Sequence, residues 1–135
     1  MSTTTLTLEK APASTGKALG IALWAAQLYG AYVFLTAAFA KLSGAPQMIG
    51  LFEAIGLGQW FRFLTGGIEL VAAILLLVPR LSGVGALLLI PTMAGAIITH
   101  LAVIGGSIAM PLGLLVAMGF VAYGRRERTL ALIRR

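Results

Sequence analysis

The stretch Ala18–Ala40, ALGIALWAAQLYGAYVFLTAAFA, runs for 23 residues without a charged side chain. As an α-helix it would be about 34 Å long, more than the roughly 30 Å hydrocarbon core of a bilayer. A cleaved signal peptide is disfavoured, since this apolar region is longer and begins later than such peptides allow. We therefore predict a first transmembrane helix over residues 18–40.

Three further apolar stretches follow, at residues 60–78, 84–104 and 108–123. The last would be about 24 Å long as a helix, just under the usual span. Residues 41–59 contain charges, glycines and only a short apolar run, which predicts an outer loop with a short interfacial helix. Short turns between the later stretches favour antiparallel neighbours. We predict an all-α integral membrane four-helix bundle over residues 18–124.

The two ends of the chain differ from this apolar centre. Residues 1–17 are polar and rich in serine and threonine, which predicts a mobile tail. Residues 125–135 form a basic tail that either lies along the inner leaflet or is solvated. For the chain as a whole, 59% hydrophobic and 10% charged residues are far from a soluble composition.

The positive charges indicate how the chain is oriented. Of its 10 lysines and arginines, only Lys41 and Arg62 fall on the side opposite the termini, which leaves eight on the side of the termini. This asymmetry predicts cytoplasmic termini in a multi-pass protein of the plasma or inner membrane. Because the basic residues flank apolar stretches, they indicate contact with anionic lipid headgroups and not with nucleic acid.

The chain contains no cysteine and one histidine, His100. It therefore cannot form a disulfide, a thiolate metal site or an iron–sulfur cluster, and one subunit cannot ligate haem through two histidines. One histidine and one intramembrane glutamate supply at most two strong metal ligands, so no metal site is predicted. Any redox chemistry would need an organic cofactor, a partner protein or a site shared between subunits.

Four ionisable residues lie within or at the ends of the predicted spans. Charged groups are costly in hydrocarbon and are typical of functional sites or structural ion pairs. Counting along the helices places Glu69 near the middle of the membrane and the other three towards the outer surface. We predict one outward-opening polar pocket that binds a ligand or relays protons, with these candidates: Lys41, Arg62, Glu69 and His100.

Further polar side chains could supply hydrogen bonds to this pocket, leaving the inner half of the bundle without polar groups. They are Gln27, Tyr32, Thr36, Thr65, Thr92 and Thr99. The alternative is structural: Glu69 pairs with Lys41 or Arg62, and His100 donates to a backbone carbonyl, purely to fix helix register. Gln27 is also expected to join two helices through hydrogen bonds.

Four sequence elements, and the order in which they follow one another, resemble the DoxX family of small four-helix membrane proteins over roughly residues 19–125. They are FAKLSG with Lys41, a GLG approach to the second helix, GGIELVAAILLLVPRLSG with Glu69, and AGAIITHL with His100. The resemblance implies a membrane four-helix bundle with Lys41, Glu69 and His100 at family positions. It also implies an oxidoreductase association, through similarity to subunits of quinone-linked thiosulfate and terminal oxidase systems.

Three functions stay open at this point. The first is a component of a quinone-linked or thiol-linked membrane redox system, with a quinone as the cofactor and a second membrane or redox protein as the partner. The second is a module that binds or transports a small molecule with apolar and polar parts. The third is an assembly subunit or scaffold, and a homo-oligomer is compatible with all three.

Overall fold

The computed structural model describes residues 11–134, with side chains from residue 16 onward, and this part of the chain is helical throughout apart from short connections. A π-helical turn, His100–Ile104, continues the fourth helix. The helices are α1 Ala11–Ser43, α2 Pro46–Ile55, α3 Gln59–Leu77, α4 Ser82–Thr99, α5 Ala109–Gly124 and α6 Arg126–Ile133.

Proline and glycine set several of these boundaries. Pro46 is the first residue of α2, where its missing N–H leaves no helical hydrogen bond unmade. Gly56 ends α2 in the left-handed region at φ 84° and donates its N–H to Phe52 O. Pro79 restricts the preceding residue, and Val78 is accordingly extended at the end of α3. The sharp turns that return the chain across the molecule are therefore local properties of the sequence.

The π-helical turn widens the end of α4. Its signature is the N–H of Gly105, which donates to His100 O at 2.7 Å, five residues back. Gly105 has a φ of +76°, which favours glycine over any residue with a side chain. Single π-helical turns often occur at functional sites. Here the turn begins at His100.

The four longer helices contact one another in a ring: α1 packs on α3 and α5, and α4 packs on α3 and α5. α2 lies beside the start of α3, and we call this the α2 end of the molecule. α6 lies beside the start of α4, at the opposite α6 end. The core combines small apolar side chains with larger ones, and it includes Phe34, Ala72, Ala73, Leu76, Ala86, Leu89 and Met118.

Three helical segments are long and apolar enough to cross a membrane: Gly16–Ser43, Gln59–Leu77 and Ser82–Ile104. α5 is apolar but shorter, at 16 residues. Large apolar side chains cover the outside of the molecule, with Phe39 74% and Leu101 71% exposed. Such a surface suits contact with lipid chains and not with water. The prediction of an all-α membrane protein is confirmed at this level.

The helix bounds differ from the predicted ones mainly at the N-terminal end. The predicted ranges 60–78, 84–104 and 108–123 lie within two residues of α3, of α4 with its π-helical turn, and of α5. By contrast, residues 11–17, predicted to belong to the mobile tail, form the first turns of α1. Pro12 and the alanines around it suit the first turn of a helix. Residues 1–10 of that predicted tail lie outside the described residues.

The basic C-terminal segment is neither free of the protein nor extended. Residues 126–133 form α6, which packs on α4. The exposed Arg128 donates from Nη1 to Pro79 O at 2.8 Å. A side chain added at Gly83 would collide with Thr129, so the two helices approach closely there. α6 is therefore fixed across the turn that joins α3 to α4.

Candidate functional site

An ion pair links the C-terminal end of α1 to the middle of α3. Lys41 Nζ lies 2.8 Å from Glu69 Oε1, and the two side chains are 13% and 3% exposed. It is the only ion pair between side chains in the described part of the chain. Small residues allow this approach, because a Cβ atom at Gly66 would lie 3.0 Å from Lys41 Cβ. Of the two partners predicted for Glu69, the structure selects Lys41.

Arg62 has a different role from the predicted one. Its side chain is only 6% exposed, and its Nη1 donates to the backbone oxygen of Lys41. Its Nε donates to Gln59 Oε1 at 2.7 Å, and its guanidinium lies 4.3 Å from the ring centre of Phe63. The last carbonyls of a helix have no partner within that helix, so Arg62 caps α1. It binds the backbone oxygen of Lys41, and it is not among the residues that line the neighbouring cavity.

A cavity of about 500 Å³ opens between α2, α3 and α4. This volume is within the range typical of sites for small organic molecules. Lys41 and Glu69 lie on its wall, as do Thr65, Thr92, Thr99 and His100. Most of the remaining wall is apolar, with residues such as Met48, Phe52, Ile55, Leu64, Leu88 and Ile104. Six of the ten predicted pocket residues therefore meet at one void, and α2 supplies part of its apolar wall.

The polar side chains on α4 are each bonded to their own helix. Thr92 and Thr99 donate to the carbonyls of Leu88 and Gly95, both at 2.9 Å. His100 Nδ1 lies 2.8 Å from Ala96 O, the backbone contact that the structural alternative predicted for this residue. That contact leaves Nε2 as the ring nitrogen available to a ligand. These hydrogen bonds to the helix backbone orient the polar side chains on this wall.

Three of the predicted supporting residues lie elsewhere. Tyr32 is 72% exposed on the outside of α1, and the exposed Thr36 donates back to Tyr32 O. Gln27 is fully buried, but it lies towards the α6 end. All three lie on α1. The residue that α1 contributes to the cavity wall is Lys41, near the end of the helix.

The model of the DoxX-like family matches residues 25–122 of the chain. The chain belongs to the DoxX-like family. The matched range contains Lys41, Glu69 and His100 together with every residue that lines the cavity. It ends just before Arg125. No curated protein and no solved structure matches the chain. Family membership supports a membrane protein, and it assigns no reaction to the cavity.

This DoxX-like chain also has a second buried polar cluster, at the α6 end. Gln27 Nε2 donates to Leu76 O at 2.9 Å, and Gln27 Oε1 accepts a hydrogen bond from Arg125 Nε at 2.7 Å. Leu76 O is one of the last carbonyls of α3, so Gln27 caps that helix. The prediction that this half of the molecule lacks polar groups is wrong. The prediction that Gln27 joins helices is confirmed by these two bonds.

Arg125 is the residue in this cluster that sequence reasoning missed. It was counted as one of several basic residues beyond the last span, yet it is only 7% exposed. Burial lowers the pKa of the Arg125 guanidinium, and the positive charge of Arg128 lowers it further. Burying the Arg125 cation therefore costs solvation free energy, which the hydrogen bond to Gln27 partly offsets. A mid-helix glutamine that needs partners was the available signal.

A shallower apolar hollow adjoins the cavity on the outer surface of α3 and α4. The two share Leu64, Ile68 and Leu88, and the hollow continues past Gly67. Gly67 has no atom within 4 Å of the place where a Cβ would stand. The cavity therefore lies beside a hollow on the apolar outer surface of the molecule.

Proposed function

We propose that the chain crosses the membrane four times as a four-helix bundle of α1, α3, α4 and α5. The ring of contacts among these helices and their apolar surfaces support this arrangement. α5 has 16 residues, so it would span the membrane where the bilayer thins locally around it, or by standing nearly upright. The arginines around the α6 end favour cytoplasmic termini in the plasma or inner membrane.

Single-cysteine variants test this orientation cleanly, because the natural chain has no cysteine. Gln47→Cys on α2 and Glu127→Cys on α6 both replace exposed side chains. In intact cells, a membrane-impermeant maleimide should label Gln47→Cys, whereas Glu127→Cys should be labelled only after permeabilisation. The reverse pattern would invert the orientation, and labelling of both positions in intact cells would contradict an odd number of crossings between them.

We propose further that the cavity binds a small molecule with an apolar body and a polar headgroup. The observation that carries this proposal is the cavity itself, in which an ion pair, a histidine and three threonines interrupt a wall that is otherwise apolar. Sites for organic ligands typically combine a largely apolar lining with a few convergent polar groups. The adjoining hollow would admit such a molecule sideways from the lipid.

A quinone is the first candidate for this ligand, within a membrane redox system. Its ring and isoprenoid chain would contact the apolar wall, and its oxygens would meet the polar side chains. The chain has no cysteine and only one histidine, so a bound organic molecule would carry the electrons. A second protein would supply or accept them. The DoxX-like family assignment is compatible with this role.

A cavity-filling variant tests ligand binding directly. Gly95 lines the cavity and has open space where a Cβ would stand, so Gly95→Leu should fill the void without displacing a neighbour. Gly113→Leu on α5 is the matched control, because Gly113 also meets open space but is outside the cavity. Both proteins are compared with wild type in thermal unfolding with and without a decyl-substituted benzoquinone or benzoquinol.

A ligand that binds only the folded state raises its unfolding temperature by mass action. We expect the quinone or the quinol to stabilise wild type and Gly113→Leu, and to have much less effect on Gly95→Leu. Equal stabilisation of all three proteins would show that the ligand acts through the detergent or the outer surface. No stabilisation of wild type, together with a second protein that copurifies in fixed ratio, would favour the scaffold function instead.

A further inference from the structure

The threonine hydroxyl groups on the α4 side of the cavity already donate their protons to backbone carbonyls. Thr92 and Thr99 donate theirs to the carbonyls of Leu88 and Gly95. A threonine hydroxyl has one proton and two lone pairs, so each of these oxygens can still accept a hydrogen bond but cannot donate another. Thr65 on α3 is in the same state, because it donates to Phe61 O at 2.8 Å. Three hydroxyls on the cavity wall therefore act as acceptors.

The tautomer of His100 follows from its backbone contact. Ala96 O, at 2.8 Å from Nδ1, is a carbonyl oxygen and can only accept. The proton of a neutral imidazole must therefore be on Nδ1, which makes Nε2 an acceptor. His100 adds a fourth acceptor to the cavity wall.

Among the side chains that the structure describes, the one cation that lines the cavity is Lys41, on the side opposite α4. Glu69 as a carboxylate only accepts, whereas the Lys41 ammonium has three N–H groups, of which one is taken by Glu69. The cavity thus offers a localised donor at Lys41, and acceptors at Thr65, Thr92, Thr99 and His100. A ligand that both donates and accepts matches this set.

We propose that the occupant of this cavity is a hydroxyl-bearing molecule that donates hydrogen bonds to the α4 wall, and that a quinol therefore binds more tightly than its quinone. This inference rests on the proposed ligand binding. A quinol hydroxyl can donate to a threonine oxygen or to His100 Nε2, and its oxygens can still accept from Lys41. The oxygens of a quinone can accept from Lys41 but cannot donate to the acceptors on α4, so a quinone makes fewer hydrogen bonds in this site than a quinol.

The test compares three ligands of nearly equal shape: a decyl-substituted benzoquinol, the corresponding benzoquinone and the dimethyl ether of the quinol. Dissociation constants are measured with the purified full-length protein in lipid nanodiscs, without oxygen, at pH 8. We expect the quinol to bind about tenfold more tightly than either of the other two, as the loss of one hydrogen bond predicts.

Variants locate the source of the preference. Thr92→Val combined with Thr99→Val removes two acceptors with little change of shape, and His100→Leu removes the third acceptor on α4. Thr36→Val is the matched control, because Thr36 makes the same bond to its own helix but is exposed on α1. The preference for quinol should shrink in the first two proteins and persist in the control, while affinity for the quinone changes little.

The outcomes separate this inference from the proposed function. A quinone that binds as tightly as the quinol would overturn the preference for donors and leave ligand binding intact. Failure of all three ligands to bind would overturn both. A quinol preference that survives loss of the threonine hydroxyls and of the imidazole would also contradict the inference, because the quinol hydroxyls would then donate to other acceptors.

Discussion

Lys41 Nζ and Glu69 Oε1 lie 2.8 Å apart, and they join the last turn of α1 to the middle of α3. The two residues are not equivalent. Lys41 is near a helix end and slightly exposed, whereas Glu69 is almost completely shielded from solvent. An unpaired lysine at this place could extend its ammonium towards the surface, but an unpaired glutamate could not. This asymmetry leads to the first prediction.

Lys41→Met should destabilise the protein by about 3 kcal/mol, because it leaves the Glu69 carboxylate buried without a partner. Glu69→Gln should cost less, since Lys41 can move towards the α2 end. The double variant Lys41→Met with Glu69→Gln should recover much of the loss caused by Lys41→Met. Unfolding in mixed micelles with a graded denaturing detergent measures these free energies. Additive losses in the double variant would contradict a coupled pair.

Gln27→Leu should destabilise the protein by about 2 kcal/mol or more, because it removes one hydrogen bond to Leu76 O and another from Arg125. Gln47→Leu makes the same substitution at an exposed position on α2 and should change the stability by less than about 0.5 kcal/mol. The same unfolding assay applies. Equal effects at the two positions would mean that the Gln27 cluster contributes nothing to stability.

Arg125→Met and Arg126→Met compare adjacent arginines with opposite exposure. Arg125 is buried against Gln27, while Arg126 is exposed and donates only to Tyr123 O in its own chain segment. We expect Arg125→Met to leave Gln27 Oε1 without its partner and to cost about 1–3 kcal/mol. Arg126→Met should be nearly neutral. If Arg126→Met had the larger effect, the buried cluster of Gln27 and Arg125 would not be the main interaction that stabilises the α6 end of the molecule.

Gly85→Ala should destabilise the packing of α3 on α4. A Cβ atom at Gly85 would lie 2.7 Å from Ala72 O, a backbone atom that cannot move aside without shifting α3. Gly119→Ala on α5 meets open space and should be neutral or slightly stabilising, as expected for alanine in a helix. Thermal unfolding of the two purified variants should differ in sign relative to wild type. A neutral Gly85→Ala would show that the two helices can separate freely.

Much of the fold was predictable because its causes are local. Long uncharged stretches predict helices that avoid exposing backbone groups to lipid, and prolines and glycines mark where those helices stop. The spacing of residues along each helix was predictable too, since a helix rises by a fixed distance per residue. Counting along the helices predicts Glu69 near the middle of the membrane and Lys41 and His100 nearer its outer surface, and the structure shows all three on one cavity.

The pattern of apolar and polar residues predicts where the long apolar helices run, whereas the direction in which each side chain faces depends on how those helices pack. α1 is apolar around its whole circumference, so nothing in its pattern indicates that Tyr32 and Thr36 face outward while Gln27 is buried. The rotation of such a helix depends on contacts with distant segments. Gln27 meets Arg125, 98 residues further along the chain, only because α1 packs between α3 and α5.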